Sequence, residues 1–193
     1  MKQKMTTLKW KSTLLMILLL LGFSLSCQSN KKEQGTAEPK GTVHEAAFMN
    51  NVEMMKAHIA AGSDLNAKDE YGSTAMNIAA TFDKPEIAKL LIDGGADLAV
   101  TSPDGTTPLH TAAFLCRTEI VKMLLVGGAD TELKNSFGAT PLMSVMAPYD
   151  QVKPIYEQMN KDLGMLGLKL DYGFLKTERE VVAEILLDHR AGN

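Results

Sequence analysis

The sequence predicts an all-α solenoid of about four stacked helix-pair units, joined by short hairpin loops and interrupted by one insertion. Three observations carry this expectation. Gly72, Gly105 and Gly138 are spaced by 33 residues, as are Gly62, Gly95 and Gly128. Between these marks apolar residues fall on one helical face: Ile87, Leu90 and Leu91, then Ile120, Met123 and Leu124, then Val182, Ile185 and Leu186. The pairs Gly94-Gly95 and Gly127-Gly128 stand where a helix ends and positive φ is needed. At 193 residues, 45% apolar and 22% charged, the chain is sized for one ordinary domain, and 6% aromatic content is low for a β-sandwich.

Residues 1–26 read as a secretion signal. The stretch MKQKMTTLKWK holds four lysines and no acid, and STLLMILLLLGFSL follows it. That run is short of the about 20 residues a membrane-spanning helix takes. Ser26-Cys27 then resembles the lipobox of bacterial lipoproteins, although Ser24 stands where that family usually has leucine. The resemblance implies that Cys27 is the lipidated first residue of the mature chain. It also implies an exported, membrane-anchored protein, expected to face the periplasm, with a soluble periplasmic protein as the alternative. More than one acyl chain is needed for a stable anchor.

Loss of the signal leaves 16 basic and 23 acidic residues, net −7. Such a chain lacks the basic footprint of a nucleic-acid binder. Residues 27–41 continue as QSNKKEQGTAEPKG after the cysteine, with nothing apolar larger than alanine, and read as a flexible tether.

The repeat domain is expected over 42–193, in units of about 42–68, 69–101, 102–134 and 135–193. The lines DEYGSTAMNIAA (69–80), SPDGTTPLHTAA (102–113) and NSFGATPLMSVM (135–146) align in register, as do EIAKLLIDGGAD (86–97) and EIVKMLLVGGAD (119–130). Thr107-Pro108 and Thr140-Pro141 start helices, because proline is tolerated in a first turn. Ala79-Ala80 and Ala112-Ala113 let neighbouring helices approach. Asp64, Asp97 and Asp130 recur two residues after the glycines and read as turn formers. In the fourth unit Arg190 takes the glycine position 29 residues late, which places an insertion near 147–178. A short helix is expected there over 154–163, with Ile155, Met159 and Leu163 on one face.

These phrases resemble the ankyrin repeat, with its T-P-L-H and G-A-D signatures. The resemblance implies that no repeat buries its face alone and that the stack is the folding unit. It implies a structural role for His44 and His110, whose rings bond neighbouring hairpin backbone. It also implies protein–protein interaction through hairpin tips and first-helix ends. Those columns hold Phe48, Met49, Phe82, Phe114 and Leu115 at the helix ends, and Glu70, Tyr71, Asp104 and Phe137 at the tips. Exposed aromatics rimmed by acids make a partner-binding patch, unless the tether or the 147–178 insertion folds over it or the rings pack between neighbouring repeats.

No catalytic or cofactor motif is present after residue 27: no G-x-S-x-G, no phosphate-binding glycine loop and no C-x-x-C. His44-Glu45 opens like a zinc-protease helix, but Phe48 stands where the second histidine belongs. No metal, cofactor or small-molecule substrate is expected, and no catalysis. Two rival functions stay open. One is a redox-responsive module using Cys116, whose pKa Arg117 would lower. The other is an enzyme using Asp150, Glu157, Asp162 and Asp171 of the insertion. Cys116 shares the inter-helix turn position of Asn50 and Asp83, residues that tolerate the left-handed conformation. His58 is expected to be partly exposed.

Overall fold

The structure, a computed structural model, describes residues 39–192. The signal, Cys27 and nearly all of the tether lie outside the described residues. Helices fill the described chain in pairs: α1 (Val43–Phe48) with α2 (Val52–Ala60), α3 (Ala75–Thr81) with α4 (Pro85–Asp93), and α5 (Pro108–Phe114) with α6 (Thr118–Val126). The fourth pair is α7 (Pro141–Met146) and α9 (Tyr172–Gly192), with α8 (Tyr149–Leu163) and a 3-10 turn (Gly164–Leu166) between them. No β-strand occurs among the described residues.

Local chemistry explains each pair. The hydroxyls of Thr42, Thr74, Thr107 and Thr140 accept from the backbone N–H three residues on, capping the four first helices. Pro108 and Pro141 occupy the first turn. The first three helix pairs each turn at a residue with positive φ: Asn50 at 54°, Asp83 at 55° and Cys116 at 53°. After α4 and α6, Ala96 N–H reaches back to Leu91 O and Ala129 N–H to Leu124 O, closing around Gly95 and Gly128 in the left-handed region. Asp64, Asp97 and Asp130 each accept from the N–H two residues on, the turns their spacing predicts.

Stacking supplies the core. Successive first helices pack on one another from α1 to α7, and second helices from α2 through α4 to α6. Ala46, Ala79, Ala80, Ala112 and Ala113 are fully buried between them, with Ile87, Leu91, Ile120 and Leu124 behind. Small residues allow the close approach, and branched ones fill the layer between helices. The second and third hairpins are also joined directly, since Ser136 N–H donates to Asp104 O at 2.9 Å.

The fourth pair departs from expectation. Its second helix begins at Tyr172, not near 181, because Asp171 Oδ1 accepts from Gly173 and Phe174 N–H and starts the helix early. Leu175, Arg179, Val182 and Leu186 then continue one buried stripe. The insertion helix runs over Tyr149–Leu163 with Pro154 inside it, longer than the 154–163 expected. It buries Val152 and Tyr156, while Ile155 of the expected face is exposed. His58 is also buried, not partly exposed, and its Nδ1 lies 3.0 Å from Ser63 Oγ at the end of α2.

Candidate functional site

The hairpins between repeats are three copies of one structure. Asp69, Ser102 and Asn135 each donate N–H to the carbonyl four residues on, and each accepts from Gly72, Gly105 or Gly138 N–H three residues on. This geometry pushes residues 70–71, 103–104 and 136–137 outward. Glu70 and Asp104 are accordingly exposed, with Tyr71 at 75% and Phe137 at 80%.

The histidine position works structurally. His110 Nε2 lies 2.9 Å from Ala139 O, which only accepts, so Nε2 carries the proton. Nδ1 then accepts from Thr107. Burial holds the His110 pKa below its usual value, which favours this neutral ring. His44 repeats the contact with Nε2 at 2.9 Å from Ala67 O. Asn77 takes the position in the second repeat and donates Nδ2–H to Ser102 Oγ at 2.8 Å.

The first-helix ends do not form one uniform stripe. Phe48 and Phe114 share one column, and Met49, Phe82 and Leu115 share the next. In the first two repeats the columns interlock, with the rings of Phe48 and Phe82 edge to face at 5.1 Å. Met49 is 67% exposed, Phe82 is half-buried, and Leu115 is 0% exposed. Leu115 was expected in the docking columns; its burial removes it as a docking residue.

The insertion covers Phe114, the residue before Leu115. Tyr156 of α8 is fully buried against Phe114, with ring centroids 4.6 Å apart. Its hydroxyl donates to Phe114 O at 2.6 Å and accepts from Arg179 Nη1 at 2.6 Å. Arg179 Nη2 donates to Ala147 O and Ser144 O. Burial pushes the Tyr156 pKa up to about 12, so the hydroxyl keeps the proton it donates. Phe114 is therefore half-covered and faces α8.

Among the described residues, two cavities lie along this face. One, of about 480 Å³, lies between the last two hairpins and α8 and is lined by Asp104, Phe114, Phe137, Met143, Ile155 and Met159, among others. The other, of about 750 Å³, opens between the first two repeats, and Leu163 and Leu166 close its far side. Phe48, Met49, Glu70, Tyr71 and Phe82 all line this second cavity. The sequence placed Leu163 only on a helix face and did not single out Leu166, because nothing in the text of the insertion says which repeat it crosses; Ile78 of α3 was not singled out either.

The insertion's carboxylates do not converge. Glu157 pairs with Lys153, Asp162 accepts from Gln158, and Asp171 caps α9, all on exposed surface. Among the described residues no group of three or more His, Cys, Asp or Glu side chains could hold a metal ion. Cys116 is buried, and burial pushes its thiol up to about 11 despite the adjacent Arg117. Arg117 does lower it, as expected, and Arg179 lowers it too, but desolvation outweighs both charges. Raised from 9.0 to about 11, the native thiol holds about 100-fold less thiolate, so Cys116 should alkylate with iodoacetamide at least about 100-fold more slowly folded than in urea. Comparable rates would show that the thiol is accessible. The protonated native thiol favours folding below pH 9, and that contribution fades as pH rises through about 11.

Residues 43–135 match the family model for ankyrin repeats, in three copies. These residues are ankyrin repeats. The match ends before the insertion in sequence: α1 to α6 lie within it, while α7, α8 and α9 lie beyond it. Comparison with curated proteins gives no match.

Proposed function

We propose that this chain is an exported, membrane-tethered adaptor that holds a protein partner in the open half of its concave face and catalyses nothing itself. Ankyrin repeats typically mediate protein–protein interaction, which supports the general reading. One observation carries the particular site. Phe48, Met49, Tyr71 and Phe82 offer contiguous apolar surface, with Tyr71 and Met49 largely exposed, beside a cavity that the fold does not fill. Phe137 and Asp104 mark a smaller second opening between the last two hairpins and α8.

The tether reading rests on Cys27 and the stretch before it. A diacylated Cys27 fixes the partner near a membrane, and no helix of the described residues is long and apolar enough to cross one. Burial of Cys116 weighs against a redox module, and the scattered carboxylates of α8 weigh against an enzyme.

The test uses a photo-crosslinking benzoylphenylalanine at Tyr71 in the native host. A discrete crosslinked protein is expected, lost when Phe48 is changed to Ala. A crosslinker at Val126, 90% exposed on the second-helix side, should give none. The same product from both positions would end the concave-face reading. Cys27→Ser should abolish fatty-acid labelling and release the chain from the membrane fraction. Unchanged labelling would end the tether reading.

A further inference from the structure

We propose that the cavity between the first two repeats and Leu163–Leu166 takes a short linear segment of a protein partner, one that carries a lysine or arginine beside a bulky apolar residue. This rests on the reading of the concave face as the partner surface and adds the chemistry of what enters it.

Size argues for a segment. At about 750 Å³ the cavity lies within the range of sites that enclose a ligand of a few residues' bulk. It has a wall on each side: hairpin residues Asp69 to Ser73 on one, Leu163 and Leu166 on the other. A folded domain lying flat on the repeats would meet the second wall, whereas a linear segment passes between them.

The floor argues for an apolar group. Phe48 and Phe82 meet edge to face, and Ile78 and Leu163 flank them. A bulky side chain seated there removes apolar area from water on both walls.

Charge argues for the cation. Glu45, Asp69 and Glu70 line the cavity, and no lysine or arginine does. Glu45 and Asp69 each commit one oxygen to a local turn or cap and keep the other. Glu70 sits exposed at the tip with no ion pair among the described residues. Tyr71, exposed at the tip, adds an aromatic ring beside the same space. The smaller cavity has Asp104 as its sole carboxylate and offers no comparable argument.

The experiment uses the full chain in detergent and labelled peptides of about ten residues that combine leucine with lysine, glutamine or glutamate. The lysine–leucine peptide should bind about tenfold more tightly than the glutamine–leucine peptide, and the glutamate–leucine peptide weakest. Glu70→Lys and Tyr71→Ala, both at an exposed tip, should each weaken the lysine–leucine peptide about tenfold while leaving the melting temperature unchanged. Asp188→Lys makes the same charge change on exposed α9 and should leave binding as it was. Raising salt from about 0.05 M to about 0.5 M should weaken binding several-fold.

Equal binding of the lysine and glutamine peptides, or equal loss in Glu70→Lys and Asp188→Lys, overturns the proposal. If either occurs while the Tyr71 crosslink still captures a protein, only the chemistry proposed here falls. If no peptide binds and the crosslink is also absent, the docking face itself falls.

Discussion

Replacing Tyr156 with alanine should lower the free energy of unfolding by about 4 kcal/mol, in line with the loss of a fully buried aromatic side chain. The ring is 0% exposed and packs on Phe114 at 4.6 Å. Its hydroxyl satisfies Phe114 O and gives the Arg179 guanidinium an acceptor. Alanine removes the packing and also leaves a carbonyl and part of a buried cation unsatisfied. Tyr156→Phe separates the two effects: the ring stays, the hydroxyl goes, and about 2 kcal/mol should be lost. Urea unfolding gives the energies, and hydrogen exchange locates them. Amides of α8 should exchange faster in Tyr156→Ala while those of α3 and α4 keep their protection. Wild-type protection throughout α8 would mean that something other than this contact holds it.

Gly105→Ala should cost about 3 kcal/mol, from strain in the left-handed region plus overpacking. Gly105 has φ +75°, and a Cβ there would stand 2.9 Å from the Ser136 backbone nitrogen. Neither group moves freely, because that N–H is the one bonded to Asp104 O across the two hairpins. Gly138 provides the control. It has φ +73° and nothing within 4 Å of its would-be Cβ, so Gly138→Ala should cost only about 1–2 kcal/mol of backbone strain. The difference isolates the contact between hairpins. Equal losses in urea denaturation would show that the tips are not packed on each other.

Much of the fold was legible because its determinants are local. The threonine caps, the proline first turns and the three hairpin glycines act through groups within four residues of themselves. Cys116 adopts the left-handed turn because it occupies the turn position held by Asn50 and Asp83. Repetition amplified these signals, since one turn read three times in register cannot arise from incidental composition. The site was legible only in outline. Glu70, Tyr71, Asp104 and Phe137 stand out at hairpin tips because the turn itself pushes them there. The column Met49, Phe82, Leu115 reads as three equivalent positions, yet the three residues run from exposed to fully buried. Equivalence by period says nothing about what covers each copy.

From the sequence alone came the helix pairs, the hairpins between them and the columns of residues those hairpins turn outward. Caps, turns and a 33-residue period require no knowledge of distant chain. Only the tertiary structure decided which part of the hollow side stays open. Tyr156 meets Phe114 across 42 residues and Arg179 across 23. Such contacts depend on the shape of a surface that exists only after the repeats have stacked, so no local pattern in the insertion records them.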